Sequence, residues 1–299
     1  MRERQLLQRI ADRSEHIPVR FEHVLVGPGD DCAVTAPDAR RLVLTTDHLV
    51  QDRHFDNTLP LELVARKAVM RSVSDIAAMA AEPAWALATA LLPENYAHAD
   101  ELFDHMARHA RDFGCPLVGG DIATLPASLG GPISLTVTVG GHAQAPVLRG
   151  GARVGDTVYV TGSLGGSRAN HRHALATPRV HEALELTEAA SLHAMIDLSD
   201  GLGIDAARIA RASGVRLELE AERIPVHPDA RDVHAALRDG EDYELLFTAP
   251  ARGVPASVVG TPITAIGRVA SGEPATIVHL PDGSTIDASD QGFEHGSEH

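Results

Sequence analysis

Aspartates are the residues of this chain whose type and spacing point most directly to chemistry. Several stand beside glycine or at the end of an apolar segment, where a carboxylate is rarely buried without a partner. They occur in the segments Gly29-Asp30-Asp31, Thr45-Thr46-Asp47, Ser74-Asp75, Gly119-Gly120-Asp121 and Asp197-Leu198-Ser199-Asp200-Gly201. Converging carboxylates repel one another unless divalent cations neutralise them, and Mg²⁺ prefers such hard oxygen ligands. The pattern therefore predicts a metal-assisted phosphoryl-transfer site.

Each of these segments also has a purely structural interpretation. Aspartate next to glycine is typical of turns, and aspartate before a helix is a common N-cap. Asp75 is placed to pair with Arg71 one helical turn away, an interaction worth roughly 0.2–0.5 kcal/mol. The joint occurrence of all five segments, rather than any one of them, favours a functional site.

The charge balance limits what such a site can bind. The chain carries 26 basic against 41 acidic residues, a net charge of −15, which argues against nucleic acid and anionic membranes as partners. Lys67 is the only lysine, and it stands neither at the end of a glycine-rich phosphate loop nor in the strand context of protein kinases. We therefore expect any phosphate to be held through metal ions.

Cysteine usage and hydropathy indicate the compartment. Cys32 and Cys115 are too few for a disulfide framework and lack metal-ligand spacing, so a reducing, cytoplasmic location is expected. The charged N-terminal segment lacks the apolar core of a signal peptide. The longest apolar stretch, residues 76–92, is interrupted by Glu82-Pro83, and we predict no membrane span.

Periodicity predicts the elements that position the first aspartates. Residues 42–46 form a short strand pattern that runs into Asp47. A helix is predicted from Leu61, with an apolar stripe that reaches Ala80 and ends at Pro83. A second helix is predicted over residues 97–113, and alternation predicts a strand over 133–139.

The second half has its own elements. Glycine-rich sequence over 140–155 predicts a domain boundary near residue 146, hence domains 1–145 and 146–299. Strands are predicted at 157–161, 215–219, 244–248 and 263–269, and a helix from Gly201 to about residue 213. The loop 162–167 reads as a strand-to-helix turn, although its amides suit a phosphate as well. The fold class is α/β (α+β) in two domains.

The order of several motifs resembles the thiamine-monophosphate kinases, of the AIR-synthetase-like (PurM-like) ATP-binding superfamily. The motifs that carry this resemblance are Gly29–Val34, Thr45–Asp47, Ser74–Met79, Gly119–Asp121, Ile196–Leu202 and Gly240–Leu245. The resemblance extends from about residue 25 to the C-terminus. It implies a two-domain PurM-like fold, with an N-terminal sheet and helices that dimerise through the sheet and a C-terminal α/β domain.

The resemblance also implies the activity and its residues. It implies direct, in-line transfer of the γ-phosphoryl group of ATP to thiamine monophosphate, giving thiamine diphosphate, with several Mg²⁺ ions and no catalytic side chain or phosphoenzyme. The implied metal ligands are Asp30, Asp31, Thr45, Thr46, Asp47, Asp75, Asp121, Asp197 and Asp200. ATP contacts are implied for Gly120, Asp121, Arg149 and Ser199, and acceptor contacts for His54, Glu241 and Phe293.

Two alternatives remain open from the sequence. One is a PurM-like paralogue that phosphorylates a different small molecule, because Ile122-Ala123 replaces the usual hydroxyl-bearing pair and the segment 162–178 is short for the family. The other is a non-catalytic, acidic cation-binding protein of the same fold, which would bind Mg²⁺ without turning over ATP.

Overall fold

The computed structural model describes residues 12–14, 16–26, 34–126, 128–129 and 131–293. These residues form two compact units. Unit 1 comprises the described part of Met1–Ile76 together with Ala81–Gln144, and unit 2 comprises Ala77–Ala80 and the described part of Ala145–His299. Asp30 and Asp31 lie outside the described residues.

Within the described residues, unit 1 contains six strands and, besides the helical residues 12–14, the three helices whose bounds follow. The helices are α1 (Ile17–Arg20), α2 (Leu61–Ala78), whose last two residues belong to unit 2, and α3 (Ala99–Asp112). The strands are β1 (Val24–Val26), β2 (Val34–Thr35), β3 (Arg41–Val50), β4 (Glu82–Pro93), β5 (Leu117–Leu125) and β6 (Ser134–Ala143). β1 and β2 form a small antiparallel ribbon.

The other four strands form the sheet of unit 1, in the order β3-β6-β4-β5. β3 and β4 are antiparallel to β6, whereas β5 runs parallel to β4. One row of directly opposed residues crosses the sheet from Asp47 through Val137 and Ala88 to Gly120. Opposed residues point to the same face, so Asp47 shares its face with the buried Val137 and Ala88.

Helix α2 covers this buried face. Val69, Val73 and Ile76 are fully buried, as the apolar stripe predicts, and Ser72 donates a hydrogen bond of 2.8 Å to the carbonyl of Val137. The helix thus places its polar residues Arg71 and Asp75 next to strand β3. The described residues contain no helix long and apolar enough to cross a membrane.

Helix α2 ends earlier than the sequence predicts. The amide of Ala80 bonds to the carbonyl of Ala77, the amide of Ala81 bonds to that of Ile76, and Ala80 has a left-handed φ of 50°. This is a Schellman ending. The prediction that Ala80 extends the helical stripe is therefore wrong, and so is the prediction that Pro83 ends the helix, because Pro83 lies in β4 opposite Gly141.

Unit 2 is built on a larger sheet, in the order β14-β13-β9-β12-β7-β10-β8, with β11 paired to β12. All pairs are antiparallel except β9 with β13. Its strands are β7 (Thr157–Thr161), β8 (Ala194–Asp197), β9 (Arg216–Glu220), β10 (Leu245–Ala249), β11 (Ser257–Val258), β12 (Thr261–Ala270), β13 (Ala275–His279) and β14 (Thr285–Asp287). The α-helices are α4 (Arg172–Leu175), α5 (Val180–Ala189), α6 (Leu202–Ser213) and α7 (Val233–Arg238), with 3₁₀ turns at Ala169–His171 and Ala221–Arg223.

The central strands of this sheet are buried on both faces. Leu246 of β10 belongs to a cluster with Leu202 and Ile209 of α6, whereas its neighbour Phe247 belongs to a second cluster with Leu186 of α5. Helices therefore cover both sides, which explains why β7 and β10 are buried at almost every position rather than at alternate ones. This packing fixes the positions of three segments, namely the ends of β8 and β10 and the start of α6.

Candidate functional site

Two predicted metal ligands of unit 1 meet between strand β3 and helix α2. The hydroxyl of Thr45 donates to Oδ2 of Asp75 at 2.5 Å. Two residues further along β3, Asp47 accepts a hydrogen bond from Arg71 at 3.4 Å. Arg71 stands one helical turn before Asp75 and thus forms an ion pair with Asp47 on the neighbouring strand. The structure brings Thr45, Asp47 and Asp75 to one face of the sheet.

Other predicted ligands of unit 1 lie elsewhere on the sheet. Thr46 points to the opposite face, where its hydroxyl contacts that of Thr138 at 3.0 Å. Gly120 lies on the edge strand β5, three strand spacings or about 14 Å from Asp47. Asp121 shares its row with His48, hence the face of Thr46, and is exposed. The structure therefore does not bring Asp121 to the carboxylates of Asp47 and Asp75.

Gly120 is required by close packing of two strands. A Cβ atom at this position would lie 1.9 Å from the carbonyl oxygen of Ala88, which is main chain of the adjacent strand. No side chain fits there without moving β5. Glycine thus leaves the main chain of β5 accessible next to Asp121.

His54 lies in the loop that follows β3. Its Nδ1 accepts a hydrogen bond of 3.0 Å from the amide of Val50, so a neutral ring carries its proton on Nε2. The carbonyl oxygen of His54 accepts a hydrogen bond of 2.7 Å from Nζ of Lys67, a residue of α2 whose side chain is fully buried. Lys67 therefore supports the main chain of this loop, and the orientation of the His54 ring is fixed by Val50.

The oxygen donors of unit 1 fit a hard divalent cation. Among the residues that the structure describes, no three His, Cys, Asp or Glu side chains are grouped to hold a metal. However, Mg²⁺ commonly uses one or two carboxylates and completes its shell with water and phosphate oxygens. Asp47 and Asp75, with the Thr45 hydroxyl, supply such a donor set, and the Asp47 side chain remains 25% exposed to a ligand.

In unit 2, four of the predicted residues are brought together by main-chain hydrogen bonds. The carbonyl of Ser199 accepts from the amide of Glu241 at 2.7 Å, and the carbonyl of Asp200 accepts from the amide of Phe293 at 2.8 Å. Asp197 ends strand β8 immediately before them and is buried. The three segments that the sequence singled out thus converge at one end of the sheet of unit 2.

The segment that carries Glu241 has an unusual backbone. Glu241 and Tyr243 have φ values of 55° and 54°, and Gly240 has a φ of 65°. Left-handed conformations of non-glycine residues cost of order 1–3 kcal/mol each and are enriched at functional sites. A Cβ atom at Gly240 would lie 2.7 Å from the Ser199 carbonyl oxygen. The close approach of the two loops therefore depends on this glycine.

Asp205 holds the loop that contains Ser199 and Asp200, and sequence reasoning missed it. Its Oδ2 accepts from the amides of Ser199, Asp200 and Gly201 at 3.1, 3.0 and 3.2 Å. Its Oδ1 accepts from Arg208, which also contacts Oδ2 of Asp200 at 2.6 Å. Burial raises the pKa of Asp205 to about 7, against the opposing effect of Arg208. The available signal was an acidic residue in the first turn of α6.

The glycine-rich loop 162–167 is held by acidic side chains of unit 2. The amide of Gly165 donates to both carboxylate oxygens of Asp242 at 3.0 Å, and the amide of Gly166 donates to Asp239 at 2.7 Å. Burial raises the pKa of Asp242 to about 6, while Gly165 and Arg172 oppose that rise. Because these amides already have carboxylate acceptors, the geometry favours a turn over a phosphate cradle.

A buried ion-pair network fixes the end of the Gly240–Leu245 motif. Arg179 donates to both oxygens of Glu244 at 2.8 and 2.6 Å, and the hydroxyl of Thr161 donates to Oε2 at 2.7 Å. A Cβ atom at Gly162 would lie 2.2 Å from the Glu244 carboxylate. Arg179 and Glu244 are therefore structural, and they anchor the strained segment that precedes them.

The main chain of Arg149 makes its contact at the far end of α6 from the cluster around Asp200. Its carbonyl accepts from the hydroxyl of Ser213, the last residue of α6, whereas Asp200 lies just before the first. The twelve residues of this helix span about 18 Å. The side chain of Arg149 is exposed.

Comparison with known proteins places this geometry in a family. Residues 29–143 match the family described as AIR synthase related protein, N-terminal domain. The thiamine-monophosphate kinase of Rhodopirellula baltica is 33% identical over 98% of this chain and 97% of its own length. The thiamine-monophosphate kinase of Salmonella typhimurium is 33% identical over 91% of this chain and 92% of its own length.

Solved structures agree. The thiamine-monophosphate kinase of Stenotrophomonas maltophilia superposes with a TM-score of 0.77 at 31% identity, covering 91% of this chain and 95% of that one. A structure described as AaThiL complexed with AMPPCP and TMP superposes at 0.74 with 30% identity and 99% coverage of both chains. The hydrogenase maturation protein HypE in complex with ATP, at 19% identity and a TM-score of 0.78, shares the fold.

These comparisons confirm two predictions made from the sequence. The predicted α/β (α+β) fold of PurM-like type is confirmed by the similarity to both groups of structures. The predicted resemblance is confirmed by the identity to curated relatives over nearly the whole chain. The chain belongs to the family of thiamine-monophosphate kinases, which are enzymes.

Proposed function

We propose that this chain transfers the γ-phosphoryl group of ATP to the phosphate of thiamine monophosphate in a Mg²⁺-dependent, in-line reaction. The observation that carries the proposal is the convergence of Ser199, Asp200, Glu241 and Phe293 at one end of unit 2. A similar structure, at 30% identity over 99% of both chains, is described as a complex with AMPPCP and TMP. The family assignment supports the proposal that the converging residues contact the nucleotide and the acceptor.

Thr45, Asp47 and Asp75 of unit 1 are proposed to hold Mg²⁺, because they share one face and one hydrogen-bonded cluster. When bound, the ion neutralises phosphate charge and orients the reacting phosphoryl group. The resemblance adds Asp30, Asp31, Thr46 and Asp121 to the ligands. Since Asp121 lies three strands away from β3, in the row of His48, and faces the opposite side of the sheet from Asp47, we assign it to a different ion of the set.

The residues of unit 2 are proposed to divide between the two substrates. Asp197 and Asp200 are metal ligands, and Ser199 contacts ATP, as do Gly120, Asp121 and Arg149. Glu241, Phe293 and His54 contact the acceptor. Phe293 is half-buried, and its main-chain amide donates a hydrogen bond to the carbonyl of Asp200. This bond keeps the acceptor contacts next to the metal ligands.

The reaction needs little from protein side chains beyond position and charge. A phosphate oxygen of the acceptor forms the new bond to the γ-phosphorus, and the bond from that phosphorus to the bridging oxygen of ADP breaks. The attacking oxygen is already anionic, so no general base is needed, and catalysis rests on orientation and charge neutralisation. We therefore assign no catalytic side chain.

The quaternary state and location also remain proposals. The face of the unit 1 sheet that carries Thr46 and His48 is largely exposed, and Leu42 and Leu44 on the same side of β3 are 55% and 57% exposed. A second copy covering this face would bury those leucines. We propose a homodimer through domain 1–145, with 146–299 as the second domain, a cytoplasmic location, and no nucleic-acid or membrane partner.

The test is ADP release from Mg-ATP with thiamine monophosphate, thiamine or aminoimidazole precursors as acceptor. We expect ADP and thiamine diphosphate in equal amounts with thiamine monophosphate alone. ADP release with another acceptor would identify a paralogue of different specificity, and Mg²⁺ binding without any ADP would identify a non-catalytic protein. Incubation with γ-labelled ATP and no acceptor should leave no acid-stable label on the chain.

A further inference from the structure

We propose that Asp205 is a positioning residue for the metal and nucleotide contacts of unit 2. It fixes the main chain of residues 199–201 and, through Arg208, orients the carboxylate of Asp200. This inference rests on the proposed function, because Ser199 and Asp200 are the residues it would position.

The main-chain contacts are the first part of the argument. Three consecutive amides, from Ser199 to Gly201, converge on a single carboxylate oxygen of Asp205 at 3.0–3.2 Å. A main-chain amide that is shielded from water is costly to leave without an acceptor. Asp205 is fully buried, so no water replaces it in this role. The loop therefore has its present form because this carboxylate is present.

The contact with Asp200 is the second part. Arg208 donates from one nitrogen to Oδ1 of Asp205 and contacts Oδ2 of Asp200 at 2.6 Å with another. The planar guanidinium of arginine presents its donors in a fixed fork. Asp205 thus orients Arg208, and Arg208 in turn holds Oδ2 of Asp200. Groups that orient a metal-ligating carboxylate in this way typically change metal affinity 10–100-fold when removed.

A helix-capping role does not account for the bonds from the amides of Ser199 and Asp200 or for the contact with Arg208. The N-cap of α6 is Gly201, which has no side chain to cap the helix, and the bond from its amide is the one contact of Asp205 that resembles a capping box. Asp205 lies four residues later, and its own amide makes the normal helical bond to the Gly201 carbonyl at 3.0 Å. All of its side-chain acceptors are directed to the loop before the helix and to Arg208.

The test compares Asp205→Asn with a matched control, Asp156→Asn. Asp156 is also buried in unit 2, accepts from the amide of Arg153 at 2.8 Å and contacts Nδ1 of His193 at 2.8 Å. Two readouts are measured: hydrogen exchange at the amides of residues 199–201, and binding of Mn²⁺ with AMPPCP, followed by the electron paramagnetic resonance signal of free Mn²⁺.

For Asp205→Asn we expect faster exchange at these amides and about tenfold weaker Mn²⁺–AMPPCP binding. For Asp156→Asn we expect a comparable loss in Tm with unchanged binding. Should Asp205→Asn fail to fold, Arg208→Gln gives the binding readout, since the Arg208 side chain is 33% exposed. For this variant too we expect about tenfold weaker binding, partly restored in Arg208→Lys.

The positioning role would be overturned if folded Asp205→Asn bound Mn²⁺–AMPPCP within about twofold of the parent chain. Where Asp205→Asn does not fold, the same result for Arg208→Gln would overturn it. So would an equal loss in Asp156→Asn. If the parent chain itself bound no Mn²⁺–AMPPCP, the proposed function would fail instead. The two failures are therefore distinguishable.

Discussion

Thr45 donates its hydroxyl hydrogen to Oδ2 of Asp75 at 2.5 Å, although the two residues are 30 positions apart in the chain. The bond joins strand β3 to helix α2 and sets the orientation of the Asp75 carboxylate. Both residues were singled out as metal ligands from the sequence. A hydroxyl that orients a ligand carboxylate is expected to affect metal affinity more than stability.

Removal of this hydroxyl is the first prediction. Thr45→Val keeps the shape of the side chain, and we expect the Mg²⁺ concentration for half-maximal ADP release to rise about tenfold. The control is Thr136→Val, which removes a hydroxyl from the neighbouring strand on the opposite face, where it contacts His48 rather than a proposed ligand. Equal effects of the two substitutions would show that the bond to Asp75 has no special role.

Loss of charge at Asp47 is the second prediction. Asp47→Asn should lower kcat by at least about 100-fold while circular dichroism and Tm stay close to those of the parent chain, because a carboxylate that would hold the metal loses its charge. Asp38→Asn serves as the control, since Asp38 precedes the same strand and pairs with Arg40 at the surface. Near-normal turnover of Asp47→Asn would remove Asp47 from the ligand set.

The third prediction concerns the pH dependence of stability. The pKa of Asp242 is raised by burial from 3.8 to about 6 in the folded chain. Between these values the folded state binds more protons than the unfolded state, so this group makes stability fall as pH rises from 4 to 6. Two pKa units correspond to about 3 kcal/mol, which is an upper estimate.

Asp242→Asn should remove that slope while keeping an oxygen for the amide of Gly165. The free energies of unfolding of both chains, measured by urea denaturation from pH 4.5 to pH 7.5, about one and a half units above the raised pKa, should therefore diverge. The difference should favour the variant progressively as pH rises through 6 and level off about one unit above the raised pKa. A difference independent of pH would contradict the raised pKa.

The fourth prediction concerns thiol chemistry. Cys115 is fully buried, and burial raises the pKa of its thiol to about 12. Since the thiolate is the reactive form, Cys115 should resist alkylation at pH near 8, well below this pKa. A Cys32→Ser variant isolates it, with reaction in guanidinium as the positive control. Rapid labelling of the folded variant would contradict this burial.

Much of the secondary structure follows from periodicity, and its failures have a common cause. The alternating residues around Val137 and the stripe around Val73 predict β6 and α2 correctly. β4 was not predicted, because its alanine-rich sequence favours a helix in isolation. Pairing with β6 on one side and β5 on the other determines its conformation instead. Such non-local pairing overrides local propensity.

The candidate site was predictable at the level of residue type but not of connection. The aspartates and the family motifs could be identified from the sequence alone. The role of Asp205 could not, because it depends on the loop before α6 folding back with a φ of 121° at Gly201. Nor could the separation of Asp121 from Asp47, which follows from the strand order of the sheet.

The burial of Lys67 also determines what can be attached to this protein. It is the one lysine of the sequence, and its side chain, which extends from α2, is fully buried. Acetyl groups, ubiquitin and amine-directed crosslinkers therefore find no lysine on the folded surface. An acylated Lys67 recovered from a preparation would therefore come from molecules in which α2 had opened. The fraction of acylated chains would measure how many molecules had unfolded there.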